Sequence, residues 1–197
     1  MIDEDLLLTW GATYKKLNPG EIIFREGDHC QFYYQLVSGR IRWINIDENG
    51  REFIQTMIDP GESFGELPLF DGEPYAATAI SDEPSLIIRI CKQNFLHLLK
   101  EYPDIHFDFS CLLSKRARYK FLLIKTLANH VPEIRISTLL EYFKKEHKHI
   151  CPDCNQLKLT RQEIADMTGL RVETVIRSIR LMHEKGALTI DKGKIYC

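Results

Sequence analysis

Near residue 91 the hydrophobic period of this chain changes, and that change restricts the folds open to it. From Ile22 to about Ile90 the apolar residues come in short runs, EIIFREG, QFYYQLVSG, RIRWINI, REFIQTMI and SLIIRI. The turn signals NPG at 18–20, EGD at 26–28, SGR at 38–40, DENG at 47–50 and DPG at 59–61 separate them. Alternation from Arg40 to Ile46 gives a strand with one buried face. After residue 91 the spacing becomes helical. KQNFLHLLKEYPDI predicts a short helix ending near Pro103, and DIHFDFSCLLSKRARYKFLLIKTLANH one long helix. Strands gathered at one end and helices at the other predict an α+β chain that opens with a β-roll, jelly-roll-like in outline.

The long helix offers two apolar faces. Phe109, Leu113, Ala117, Phe121, Ile124 and Ala128 step by three or four, as in a seam that packs on another helix. Leu112, Leu122, Leu123 and Leu127 form a second face. The helix can lie on its own domain, or it can also pair with its twin in a homodimer.

Charge separates the two ends. Residues 1–137 carry 15 Lys/Arg against 20 Asp/Glu, whereas residues 138–197 carry 11 against 8. Contact with nucleic acid is therefore expected at the C-terminal end. There, LTRQEIADMTGLRVETVIRSIRLM has the pattern of two helices joined by a glycine turn. Thr160 and Glu163 make a capping box, and Ile164 with small Ala165 gives the inner face. Gly169 turns the chain, and Leu170, Val175 and Ile179 anchor the second helix. Val172, Glu173, Ile176, Arg177 and Arg180 are left outward. ALTIDKGKIYC closes the segment as a two-stranded wing.

With these motifs in place, the stretch from about Tyr14 to Tyr196 resembles the CRP/FNR family of bacterial transcription regulators. FGELPLF at 64–70, RISTLLEYF at 135–143 and LTRQEIADMTGLRVETVIRSI at 159–179 carry the resemblance. It implies a β-roll sensor domain over residues 1–103, a dimerisation helix with linker over 104–130, and a winged helix-turn-helix over 131–197. It also implies a homodimer bound to double-stranded DNA, with RNA polymerase as a further candidate partner. Glu173 and Arg177 match the family's Glu-x-x-x-Arg pair, which reads a TGA core, so palindromic TGA-containing half-sites are expected. Arg177 is suited to guanine O6 and N7, and Glu173 to the cytosine amino group. Val172 and Ile176 stand where relatives carry a further arginine or a serine. Arg180, Lys158, Arg161 and Thr174 are the candidate phosphate contacts.

The sensor is harder to read. In cyclic-nucleotide-binding members a Gly-Glu-Leu glutamate holds the ribose and a downstream Arg-Ser pair holds the phosphate. Gly65, Glu66 and Leu67 match, but the Arg-Ser positions are Tyr75 and Ala76. A hydrogen bond to a charged group is worth ~1.5–3 kcal/mol net, so losing the arginine alone weakens phosphate binding by roughly one to two orders of magnitude. The expectation is a retained scaffold that does not respond to cyclic AMP, with an unknown effector or none. In that reading Glu66 serves the N-terminus of a short helix that Pro68 opens, and Phe64, Leu67 and Phe70 fill the roll.

Other chemistry is weaker. His147, His149, Cys151 and Cys154 fall within eight residues, a spacing that suits zinc or a redox pair. A Pro152-Asp153 hairpin tip explains the same residues without a metal, and no metal or other cofactor is firmly implied. The six cysteines are otherwise scattered, and His29, His97 and His106 have no haem-binding context. No nucleotide-binding loop or nucleophile elbow is present, so no enzyme is expected. The rival reading is a non-DNA regulatory subunit with a small-molecule-binding roll. No apolar run approaches the ~18 residues of a membrane span, and MIDEDLLLTWG is acidic where a signal peptide is basic. A cytoplasmic protein without a membrane partner is expected.

Overall fold

The computed structural model describes residues 2–197. The chain divides into two compact units, residues 1–114 and 115–197.

The first unit is the roll, eight strands in two four-stranded antiparallel sheets. One sheet runs β1 (Thr13–Leu17), β8 (Ser85–Cys91), β3 (Phe32–Ser38), β6 (Ser63–Phe64). The other runs β2 (Ile22–Phe24), β7 (Thr78–Ser81), β4 (Ile41–Ile46), β5 (Glu52–Ile58). The first sheet is buried on both faces, which explains why SLIIRI reads as nearly continuous apolar sequence. Ile87 points into the roll with Tyr34, Leu36, Phe64 and Trp43. Its neighbours Ile88 and Ile90 turn outward against helices.

Those helices are α1 (Glu4–Thr9), α3 (Lys92–Glu101) and the start of α4 (Pro103–Leu127). Leu7, Phe95, Leu98, Leu99 and Phe109 cover Tyr33, Ile88 and Ile90. Tyr33 stacks on Phe95 at 4.5 Å between ring centres. The short helix α2 (Leu67–Asp71) adds Leu69 to this layer.

Two expectations are corrected here. Leu67 and Phe70 do not fill the roll; they are 41% and 40% exposed. A five-residue helix has room for one inward face, and Leu69 occupies it while Phe70 lies beside Phe95 and Phe109. The expected seam on the long helix also divides. Phe109 packs into the roll-side core, whereas Phe121 and Ile124 are 72% and 64% exposed.

The second unit holds the rest of α4, then α5 (Pro132–Lys145), α6 (Arg161–Thr168), α7 (Val172–Glu184) and the wing strands β9 (Thr189–Asp191) and β10 (Lys194–Tyr196). No described helix is long and apolar enough to cross a membrane.

Candidate nucleic-acid interface and sensor pocket

The helix pair forms from local signals. Thr160 Oγ1 accepts from the Glu163 N–H at 3.1 Å, and the Glu163 carboxylate accepts from the Thr160 N–H at 2.6 Å. Both bonds satisfy donors that a helix start would otherwise leave bare. At the other end Gly169 takes the left-handed φ of 64° that the exit turn requires, and the Leu170 N–H reaches the Ala165 carbonyl at 3.1 Å.

Helix α7 is then oriented by one apolar stripe. Val175, Ser178, Ile179 and Met182 are buried, which leaves Glu173, Ile176, Arg177 and Arg180 exposed on the opposite side. Val172 and Thr174 are half-buried in the first turn, Arg161 is half-buried on α6, and Lys158 is exposed just before it. The outer face therefore carries an acceptor, two guanidinium groups and an apolar side chain within reach of one another along the helix.

Two positioning residues lie on α5 and were not singled out from sequence. Ser178 Oγ donates to Glu133 Oε1 at 3.2 Å, fixing the rotation of α7 against the first turn of α5. Arg135 donates through Nε to the Asn129 carbonyl at 2.5 Å and through Nη1 to the Thr168 carbonyl at 3.3 Å. Arg135 stands within RISTLLEYF, but its partners are distant in sequence, so the motif alone does not give its role. The wing is tied to α7 by His183, whose Nδ1 lies 3.2 Å from the Leu188 carbonyl and 3.3 Å from the Ile190 N–H.

In the roll, the five residues aligned with a nucleotide site differ in burial: Gly65, Glu66 and Tyr75 are buried, Leu67 and Ala76 exposed. Gly65 has φ +67°, and a Cβ there would come within 2.6 Å of the Phe24 ring. Glu66 is fully buried and occupies the N-cap position of α2, but its side chain makes no cap bond, contrary to the role expected for it. Pro68 does sit in the first helical turn. Leu67 and Ala76 face outward.

Tyr75 is the informative residue. Its side chain is 3% exposed and stacks on Phe24 at 3.7 Å with 10° between the ring planes. Phe24 in turn stacks on Phe64, and Phe64 on Tyr34. The Tyr75 backbone is clamped to the β2–β3 loop, donating to the Asp28 carbonyl and accepting from the Gly27 N–H, both at 2.9 Å. Its hydroxyl is buried beside the Cys30 thiol, a weak partner. Burial pushes its ionisation well above the ordinary tyrosine range. Burial also raises Tyr34, to about 12.

A cyclic nucleotide-binding domain model matches residues 14–102, and a Crp-like helix-turn-helix domain model matches residues 135–197. The chain is 32% identical over 165 residues to the cAMP-activated global transcriptional regulator CRP of Pasteurella multocida, covering 83% of this chain and 79% of that protein. The chain belongs to the CRP/FNR family of transcription regulators. The Cyclic AMP receptor protein of Thermus thermophilus is 26% identical over 193 residues, covering 98% of this chain and 87% of the relative. Among solved CRP/FNR folds, the c-di-GMP responsive global regulator CLP of Xanthomonas campestris superposes with a TM-score of 0.79 at 21% identity, covering 98% of each chain. A mutant form of CooA from Carboxydothermus hydrogenoformans gives 0.81 at 17% identity, covering 99% of this chain and 87% of that one.

Like its relatives, the chain is a DNA-binding transcription regulator and not an enzyme. Among the described residues no three His, Cys, Asp or Glu side chains assemble as metal ligands. His147, His149, Cys151 and Cys154 thus do not assemble as one ligand set. The His149 ring sits edge-on to Phe143 at 4.8 Å, and left-handed φ values at His147 (53°) and His149 (55°) break the strand alternation that would have aligned them. His97 packs on Trp10 and reaches Glu101 at 3.6 Å, and His106 stacks with Phe70.

Proposed function

We propose that this regulator acts as a homodimer that reads palindromic, TGA-containing half-sites, and that its roll does not respond to cyclic AMP. The observation that carries the DNA reading is the outer face of α7. Arg177 can make the paired bonds to guanine O6 and N7, and Glu173 can accept from a cytosine amino group. Ile176 and Val172 offer methyl groups to thymine in place of further polar contacts. Arg180, Lys158, Arg161 and Thr174 meet phosphates and set register without reading sequence. The helix-turn-helix disfavours a regulatory subunit without DNA.

Two copies are needed because one recognition helix reads one half-site, and operator symmetry follows dimer symmetry. Phe121 and Ile124, exposed on α4, supply an apolar surface suited to a twin helix. RNA polymerase is a natural partner for a regulator placed beside a promoter. A cytoplasmic location fits all of this.

The sensor reading rests on Tyr75. Two relatives are named for cyclic AMP and one for c-di-GMP. Here the cation and hydroxyl for a phosphate are absent, and an aromatic ring of this chain occupies the roll instead. Selection from random DNA tests the first half and is expected to return symmetric TGA half-sites. Calorimetry with cyclic AMP tests the second, where micromolar or tighter binding would refute it.

A further inference from the structure

The Cys-Pro-Asp-Cys segment takes no part in the helix-turn-helix, yet its geometry is ordered. Residues 149–158 double back as a hairpin. Ile150 pairs with Leu157, the Cys151 N–H donates to the Gln156 carbonyl at 2.9 Å, and the Lys158 N–H to the His149 carbonyl at 2.7 Å. At the tip the Asn155 N–H donates to the Cys151 carbonyl at 2.9 Å. That bond closes a single helical-type turn, in which residues three apart are neighbours, with Cβ atoms ~5–6 Å apart. A small closure from there reaches disulfide geometry.

The turn therefore sets Cys151 and Cys154 on one side of the hairpin tip. Cys154 is exposed and Cys151 half-exposed, so reagents can reach both. The hydrogen bond from Cys154, together with the backbone N–H groups of Cys154 and Asp153, holds the Cys151 thiol below its ordinary range. With no third metal ligand in reach among the described residues, oxidation is the chemistry that fits.

We propose that Cys151 and Cys154 form a reversible dithiol–disulfide site, oxidised by peroxides or small disulfides, and that the oxidised form stiffens the hairpin carrying the last wing strand. With a peroxide, the Cys151 thiolate attacks one oxygen, the O–O bond breaks, and Cys151 sulfenic acid and one water result. The Cys154 sulfur then attacks Cys151, the S–O bond breaks, and a second water leaves. Two thiols lose two electrons and two protons, which the peroxide takes up. With a small disulfide the route is a mixed disulfide on Cys151, resolved by Cys154 with release of two small thiols. A dithiol reductant reverses either path.

The consequence for the wing follows from the hairpin's other edge. Gln156 bridges Tyr196, the Leu157 N–H donates to the Ile195 carbonyl at 2.8 Å, and the Cys197 N–H to the Asn155 carbonyl at 3.1 Å. Strand β10 thus rests on the segment that the disulfide closes, and Lys158 and the α6 cap follow directly.

The test treats the full-length protein with a modest excess of hydrogen peroxide, then alkylates and digests it for mass spectrometry. Two of the six free thiols are expected to vanish together, as a disulfide within the peptide containing Cys151 and Cys154, and to return with dithiothreitol. Cys154→Ser should leave a trappable sulfenic acid on Cys151, while Cys151→Ser should react much more slowly. In hydrogen exchange, the Leu157 and Cys197 amides of the oxidised protein should exchange several-fold more slowly. The proposal is overturned if Cys30, Cys91 or Cys111 oxidises first, if the pair proceeds to sulfinic acid without a disulfide, or if exchange at those amides is unchanged by a disulfide that does form.

Discussion

Replacing Tyr75 by alanine tests whether the roll is filled by its own side chain. The ring is 3% exposed and lies on Phe24 at 3.7 Å. Truncating a buried aromatic to alanine costs ~3–5 kcal/mol from lost transfer energy and the cavity left behind. The stack with Phe24 adds ~0.5–1.5 kcal/mol beyond the area burial. The hydroxyl acts in the opposite direction. Burying it beside a thiol rather than a strong acceptor costs ~1–3 kcal/mol, and removal returns that cost. The net expectation is a destabilisation of about 3 kcal/mol for Tyr75→Ala. Tyr75→Phe keeps the stack and discards the hydroxyl, so it should be more stable than the parent by ~1–3 kcal/mol. Both tryptophans, Trp10 and Trp43, belong to the first unit, so urea unfolding followed by their fluorescence isolates the roll. The midpoint should fall for Tyr75→Ala with little change in slope, and phenol should partly restore it by entering the cavity. If Tyr75→Ala stays within about 1 kcal/mol of the parent, or if Tyr75→Phe is as damaging as Tyr75→Ala, the ring is not what fills the roll.

Three further outcomes are expected. Phe121→Asp or Ile124→Asp should leave the fold intact, because both positions are exposed in the single chain. Each should nonetheless bury a charge in the twin interface, so light scattering at micromolar concentration should drop from twice 23 kDa to 23 kDa. Arg177→Ala should cost ~1–3 kcal/mol of DNA affinity and relax the guanine preference, whereas Lys158→Ala should weaken all sequences alike and reduce the salt slope by about 1. At high pH the roll should unfold. Tyr34 and Tyr75 ionise above their unfolded values, so the stability they contribute is complete below ~10 and lost as pH rises toward and beyond 12, the value reached by Tyr34. Absorbance at 295 nm should show their late ionisation coinciding with loss of circular dichroism. Titration of all eight tyrosines near 10 in a folded protein would contradict the burial argument.

The helix-turn-helix was legible because its signals are local. The Thr160–Glu163 box, the Gly169 turn and the stripe of Val175 and Ile179 all lie within a few residues of what they determine. Long apolar strands were legible for the same reason. Strand β1 was not, since TYKKL is an edge strand carrying Lys15 and Lys16 and lacks a clear apolar alternation. Strand β7 is only four residues and β6 only two. Helix α1 is held by Leu7 against the distant Ile88 and Phe95. The sensor gives the sharpest contrast. The sequence showed which groups a phosphate would miss at Tyr75 and Ala76, but not that Tyr75 would turn inward onto Phe24, because that contact belongs to tertiary packing. Glu133 and Arg135 escaped notice for the same reason.

Arg135 also determines how movement can pass through the DNA-binding unit. Its guanidinium holds the carbonyl of Asn129, where α4 has ended, and that of Thr168, where α6 ends. The Asn129 side chain meanwhile accepts from the Val131 N–H at 2.9 Å. The short connection into α5 is therefore a braced joint and not a swivel. The start of α5 is thereby fastened both to the exit of α4 and to the exit of α6. Lysine at this position would present a single ammonium in place of a planar fork and let the two carbonyls drift apart. One side chain thus ties together three element ends, one of which lies far off in sequence.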